Sequence, residues 1–472
     1  MGFMVGKGKG TMPWVDQINL RMHSIRRMVA PVGVVASVAV LVGLDSYSRR
    51  AEGSKISAKS SSQGEGIQAL TALSVVGVGG VALCEGWGSR KSTKRIFKYS
   101  ADDDYPYFSK WHRTLMRKHL TPKVYKQLQP LRTSNGFTIN DVIACGTTCG
   151  YSVPRGMGCM AGDYESYSLF APFFSPIIKE YHDFSPTSRH TTDLNPSHLK
   201  SVKDLDPNSE YVLSTRIRVA RSIRGLPFPA ASSRAARRKV ESLARSCTET
   251  LKGDLQGMYM PLNDMDNDVN DDLIQRHICF DNPDEWSITA RLGQDWPDAR
   301  GVYINCQDLD ETPDFVVWVN EEDHLRIMCL RKGGDIFAVF EKLVRGVNAM
   351  EKQMKEQGYQ FLHDEHLGYV VGCPTNLGTG MRASMHVKLI KLAKLPGFID
   401  LCNRMGLDVR GKHGEKDTRQ SGIFDISNRH RLGFSEVELI QLMIDGVSYL
   451  IELEKKLEAG EEIDLEKEFN KV

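Results

Sequence analysis

Apolar and polar positions are spaced differently in the two halves of the chain. From Tyr105 to about Thr187 apolar residues recur at helical spacing with little sign of strands. TPKVYKQLQPL predicts a helix with Thr121 as its N-cap and Pro122 at its first position. TINDVIA starts another at Thr138, and ESYSLFAPFFSPIIKEYH carries one apolar face interrupted by Pro172 and Pro176. A loop rich in glycine and cysteine is expected over Cys145–Gly162, and a polar linker over Pro186–Pro207. After residue 210 short β-rich runs appear: YVLSTRIRV, GVYIN, DFVVWVN, LRIMCL and LGYVVGC. Amphipathic stretches separate them, the longest being Ala231–Lys252, Asp335–Glu356 and Ser435–Leu457. This pattern predicts an α+β protein. A small all-helical domain (residues 100–190) precedes a large domain (210–460) built on a mainly antiparallel sheet flanked by helices.

The first 95 residues follow neither pattern. A basic segment leads into the short apolar run Met28–Leu44, a serine-rich stretch and a second apolar run, Ile67–Cys84. This order fits a mitochondrial targeting and sorting presequence better than a secretory signal, with a retained membrane anchor as the alternative. VVGVGG within the second run mimics a dinucleotide fingerprint, but no acidic residue follows about 20 positions on.

Charge supports the division. Residues 1–100 hold 14 basic and 5 acidic side chains, whereas the remainder holds 47 and 54. A slightly acidic body excludes the usual profile of a nucleic-acid-binding protein. The ten cysteines are scattered without a CxxC pair, which reads as reduced thiols and gives no zinc site.

Four features carry candidate chemistry. In STRIRVAR, Arg216 and Arg218 lie two apart on a predicted strand and share one face. Together they form either a solvated face beside acidic partners or a clamp for a polyanion. Arg326, Arg382 and Arg410 also follow strand-like runs. His277, in LIQRHICFD, reads as a core residue or as a contact to a base. DFVVWVNEEDHLR ends an apolar strand on Glu321, Glu322 and Asp323, which form either a solvated turn or a carboxylate site for a cationic substrate, with Glu322 as its base. YVVGCPTNLGTGMR resembles a phosphate loop without its lysine, and places Cys373 where a thiolate could meet a cation.

From about Tyr105 to Gly460 the chain resembles the phosphagen kinases, the ATP:guanidino phosphotransferases. The resemblance rests on CPTNLGTG, WVNEEDH, RIRVARSIRG, DWPDARG and FDISN. It implies transfer of the γ-phosphoryl group of MgATP to a guanidino acceptor, buffering ATP. Arg216, Arg218, His277, Arg326, Arg382, Arg410 and Asp425 would hold ATP or ADP, and Mg²⁺ would arrive with the nucleotide, without a dedicated metal site. Glu322, Glu321, Cys373 and Asn376 would be catalytic. Met157, Gly158, Tyr181 and Glu415 would join Glu322 and Cys373 around the guanidino substrate.

The specificity loop, Cys145–Gly162, resembles an intermediate between creatine and arginine kinases in length. Tyr181 and Glu415 match positions where arginine kinases carry the same residues, whereas Met160 replaces their tyrosine. The mixture is most similar to taurocyamine kinases, with arginine, lombricine, glycocyamine and creatine as alternative acceptors; Arg155 or backbone amides of the loop would meet the acid end. The resemblance further implies the mitochondrial intermembrane space, peripheral membrane contact and a homodimer, since Tyr359 stands where octamer-forming relatives carry tryptophan; an octamer is the alternative. An inactive scaffold on the same fold is the alternative of a different class.

Overall fold

The computed structural model of the chain describes residues 104–149, 156–200, 204–411 and 422–469. The presequence, Arg155 and Glu415 lie outside them. The helical domain contains α1 (Leu115–His119), α2 (Pro122–Leu128), α3 (Ile139–Thr148), α4 (Tyr164–Leu169) and α5 (Ala171–His182). Its starts are set by side chains that satisfy otherwise unpaired amides. Thr121 accepts from Val124, and Thr138 forms a capping box with Asp141. The long run after Glu165 is two helices that break at Phe170, and Pro176 is accommodated inside α5. Cys145–Thr148 belong to α3, so the expected loop begins later than the sequence suggests. Met116, Val142, Phe173, Phe174 and Ile177 form the centre of this domain. Its core continues through Phe228 and Val370 to Cys373.

The second domain is ordered β1 (Val212–Arg221), α6 (Arg234–Thr248), β2 (Met258–Pro261), α7 (Asn267–Gln275), α8 (Glu285–Thr289), β3 (Gly301–Ile304), β4 (Phe315–Val319), β5 (Leu325–Lys332), α9 (Ile336–Glu356), β6 (His363–Asp364), β7 (Gly368–Tyr369), β8 (Met381–Lys388), α10 (Phe398–Arg404), β9 (Leu407–Gly411), β10 (Ile423–Asn428), α11 (Glu436–Glu458) and α12 (Leu465–Glu468). Eight strands form one sheet in the order β2-β3-β4-β5-β1-β8-β10-β9, every pair antiparallel. The run LGYVVGC does not add a strand to it. Only Gly368–Tyr369 are extended, and they pair with β6 in a separate hairpin. Among the described residues no helix is long and apolar enough to cross a membrane.

Register sorts the sheet into two unlike faces. Ile217, Val219, Ile327, Cys329, Ala383, Met385, Phe424 and Ile426 fall on one face. They are buried against Phe340, Leu343, Ile440 and Met443 of α9 and α11. Burying each such side chain stabilises the fold by roughly 1.5–3 kcal/mol. The opposite face carries the charge. Arg218 lies directly across from Arg382 on one side and Met328 on the other, while Arg326 is paired with Ala220 and Trp318. A slip of one residue would exchange these faces, so the apolar face fixes where the arginines stand.

Candidate active site

Arg216 and Arg218 project side by side from the middle of the sheet. Along one strand face their spacing is about 7 Å, which costs roughly 2 kcal/mol of repulsion at an effective dielectric of about 20. Neither forms an ion pair among the described residues. Desolvation, followed by the charges of Arg326, Arg216 and Arg382, pushes the Arg218 guanidinium well below its usual range. Desolvation and Arg382 bring Arg216 down to about 10. Clustered cations without carboxylate partners, held by a rigid sheet, constitute an anion site.

Arg382 and Asp425 extend this site along β8 and β10, with Arg382 Nη2 2.7 Å from Asp425 Oδ2. Against desolvation, Arg382 holds the Asp425 carboxyl below its usual range. Arg216, Arg382, Asp425, His386 and His277 line one cavity of about 690 Å³. His277 is not in a strand. It follows α7 with φ +57° and is exposed, so of the two readings the sequence leaves open, the core residue does not hold. The other carboxylate lining this cavity, Asp314, is bound by Lys342 at 2.6 Å.

Arg410 stands opposite Asp425 on β9 and pairs with Asp408 at 3.2 Å. It lines a second cleft, of about 900 Å³, together with Tyr181 and Gly156.

Arg326 joins the anion site to a carboxylate site. Its guanidinium reaches Glu321 Oε2 at 2.7 Å, Glu322 Oε2 at 2.9 Å and Asp323 Oδ2 at 3.1 Å. The β4–β5 turn turns these acids inward, contrary to the reading of a solvated turn. Asn320 adopts φ +56° at its start, and its buried Nδ2 donates to the carbonyl oxygens of Arg237 (2.9 Å) and Ala299 (2.8 Å). His324 closes the turn: Nδ1 accepts from the Ile223 amide, and Nε2 donates to Pro227 O at 2.8 Å. Desolvation raises both Glu321 and Asp323, opposed by Arg326. Each would be costly to keep charged without that arginine.

Glu322 Oε1 accepts from Asn376 Nδ2 at 3.4 Å, which links the acidic turn to the cysteine loop. The Cys373 Sγ lies 3.1 Å from the Thr375 hydroxyl. Burial, then the Glu322 charge, pushes the thiol up to about 12, while Thr375 acts in the opposite direction. A resting thiolate, as expected from sequence, is therefore disfavoured; a cation beside Glu322 and Cys373 would lower both charges' cost.

The loop is braced from both domains. His182 Nε2 donates to Pro374 O at 2.8 Å, and Arg431 Nη1 donates to Thr375 O at 2.8 Å. Gly378 and Gly380 have φ +92° and +61°. A Cβ on Gly378 would lie 2.3 Å from Arg431 O, and one on Gly380 would lie 2.7 Å from Ala220 O. These glycines serve close backbone packing.

Among the substrate positions, Tyr181 stacks edge-to-face on His182 with centroids 4.8 Å apart. Met157 is buried in the helical core, and Gly158 packs against Gly146 and Thr114. Met160 instead lies within contact distance of Gly372, next to Cys373. Asn320, His324, His182 and Arg431 were not singled out as site residues by sequence. Their roles depend on long-range carbonyl contacts that leave no local spacing signal.

The molecule therefore presents a polyanion site and a carboxylate–thiol pocket joined by Arg326. Residues 110–179 match the N-terminal domain model of the ATP:guanido phosphotransferases, and residues 239–457 match their C-terminal catalytic domain model. The chain is 44% identical over 378 residues to creatine kinase M-type of Canis lupus familiaris, covering 79% of this chain and 97% of that one. The chain belongs to the ATP:guanido phosphotransferases. Creatine kinase B-type of Gallus gallus is likewise 44% identical over 370 residues, 78% of this chain and 95% of that protein. Among solved structures, a lombricine kinase superposes with a TM-score of 0.68 at 38% identity, covering 76% of this chain and 97% of that one. A duplicated taurocyamine kinase from Schistosoma mansoni, with bound transition-state-analogue components, gives 0.65 at 35% identity over 74% of this chain and 47% of that longer one.

As a guanidino phosphotransferase, this chain acts on ATP, and the family implies Mg²⁺ with it. Among the described residues no group of three or more His, Cys, Asp or Glu side chains is arranged to hold a metal ion. Asp425 and Asp314 are already engaged by cations. That donor set fits an ion held on the nucleotide's own oxygens. The ion would supply charge neutralisation across the phosphates.

Proposed function

We propose that this phosphagen kinase uses taurocyamine, guanidinoethyl sulfonate, as its acceptor, and works in the mitochondrial intermembrane space as a homodimer that buffers ATP. The observation that carries the mechanism is Arg326: one guanidinium bridges Glu321 and Glu322 and also acts on Arg218, whose sheet face it shares two positions further along the strands. Triphosphate on the arginine face and guanidinium against Glu322 would meet end to end at this residue.

Transfer is then largely a matter of alignment and charge. Arg216, Arg218, Arg326 and Arg382 spread positive charge over the moving phosphoryl group. A guanidinium is a poor nucleophile because its lone pairs are delocalised. Glu322 accepts a proton from the attacking nitrogen, a nitrogen–phosphorus bond forms, and the bond to the ADP oxygen breaks. Asn376 fixes Glu322, and Cys373 packs beside the guanidinium, which favours the thiolate by direct charge pairing. A closed site also keeps water from taking the phosphoryl group.

Support for taurocyamine comes from Tyr181, from the loop of intermediate length and from Glu415, whose charge disfavours an N-methylated acceptor. Creatine kinases at 44% identity pose the main alternative. Identity is accumulated over both shared domains, whereas acceptor choice depends on a few loop positions. The basic, acid-poor leader supports the mitochondrial reading.

A panel of taurocyamine, arginine, lombricine, glycocyamine and creatine with MgATP tests the choice. The expected result is the highest kcat/KM for taurocyamine. A tenfold advantage for arginine or creatine would exclude it.

A further inference from the structure

Apart from Arg410, the cleft of about 900 Å³ beside Tyr181 contains charge that the transfer chemistry does not use. Arg113, Arg117 and Lys118 reach it from the helical domain, and Arg410 and Arg429 from the sheet domain. Glu180 and Asp408 are the acids among its lining residues. Those acids are already engaged. Glu180 takes Lys118 at 2.6 Å and His119 at 2.7 Å, and Asp408 takes Arg410 at 3.2 Å. Arg429 donates to Asn403 Oδ1 at 3.4 Å. Arg117 Nη1 donates to the carbonyl of His112 at 2.8 Å, which leaves its charge unneutralised. Neither Arg113 nor Arg117 forms an ion pair among the described residues. The cleft is thus built with more cation than its own acids satisfy.

Two backbone connections join it to the reacting end. Tyr181 in its wall precedes His182, which donates to Pro374 O beside Cys373. Gly156, also in the wall, lies where an added Cβ would be 3.2 Å from Arg113 O. The segment that it begins reaches Ala161, whose amide donates to Gly372 O at 2.8 Å. The cleft is therefore linked to the cysteine loop through the backbone of the helical domain, and it shares no lining residue with the cavity lined by Arg216 and His277.

We propose that this cleft receives the anionic tail of the acceptor, with Arg113 and Arg117 as its specificity-determining cations. This rests on Glu322 and Cys373 receiving the guanidinium end. The acceptor would then bridge two opposite charges: a carboxylate–thiol pocket for its cation and an arginine cleft for its acid. Guanidinium forks match the oxygens of a sulfonate or a carboxylate in two-point contacts. The site selects acceptors carrying a strong acid on a short spacer and discriminates against amine-tailed guanidines.

The test compares Arg113→Glu, Arg117→Gln and the double variant with the wild type. Each is assayed with MgATP against guanidinoethyl sulfonate and against agmatine, whose tail is an amine. The double variant is expected to lower the ratio of kcat/KM between the two acceptors at least tenfold, with Arg113→Lys retaining most of it. Thermal unfolding confirms that the variants fold. An unchanged ratio, with both acceptors falling alike, overturns the proposal. A raised KM for MgATP at a constant acceptor ratio also overturns it and assigns the cleft to the nucleotide. If the wild type prefers another acid-tailed guanidine and the variants lose that preference, taurocyamine is the wrong acceptor and the cleft assignment stands. A wild type that ignores the tail overturns both.

Discussion

Arg218 is surrounded by three other guanidiniums, and its charge is held at a cost that no carboxylate of its own offsets. Such an arrangement persists because the apolar side of β1 fixes it, and its charge becomes favourable when a polyanion arrives. Cys373 has the reverse problem: its thiol is held neutral by burial and by Glu322, and it awaits a cation. The side chain that pulls the other way is Thr375, 3.1 Å from the sulfur. Thr375→Val removes a donor that stabilises the thiolate. The pH midpoint for alkylation of Cys373 should therefore rise by about one unit, the equivalent of one modest hydrogen bond. A midpoint that stays in place or falls would show that the hydroxyl does not tune the sulfur. The arginines, the acidic run and this cysteine were legible as residue types in particular patterns. Thiol protonation was not, because it depends on a carboxylate 51 positions away in the chain.

At the level of elements, the turn between β4 and β5 decides whether three consecutive acids face water or the site. The strand pattern of DFVVWVN located the turn but not the direction of its side chains. That direction is set by Asn320, in a left-handed conformation and tied to the carbonyls of Arg237 and Ala299. Replacing Asn320 with alanine should cost about 2 kcal/mol in urea unfolding, from two lost buried hydrogen bonds and a less favourable backbone. It should also lower kcat by displacing Glu321 and Glu322. Stability within 0.5 kcal/mol of wild type with unchanged kcat would contradict that role for the turn. The cysteine loop teaches the same lesson differently. Its apolar run reads as a strand, yet the segment packs as a short hairpin and a turn because His182 and Arg431 capture its carbonyl groups. Periodicity reports burial, and here it could not distinguish a buried strand from a buried loop.

Across the whole molecule, the sheet domain carries both the arginine face and the Glu322–Cys373 pocket, and the helical domain packs up to that pocket. The sheet contributes arginines from β1, β5 and β8, which stand on one face because strand period and register place them there. The helical domain brings its core up to Cys373 and presents Tyr181 beside the cationic cleft. The α+β class and the order of domains followed from the change in hydrophobic period after residue 210. The meeting of the two domains at the cysteine loop did not, since it rests on contacts such as that between Ala161 and Gly372, 211 positions apart. The central claim is that these surfaces pass a phosphoryl group from nucleotide to guanidine nitrogen. Phosphorus NMR of the protein with MgATP and guanidinoethyl sulfonate tests it directly. A new phosphoramidate resonance growing at the rate at which the γ-phosphate of ATP declines is the expected result. Release of inorganic phosphate alone, or an unchanged ATP spectrum with every guanidine in the panel, would contradict it.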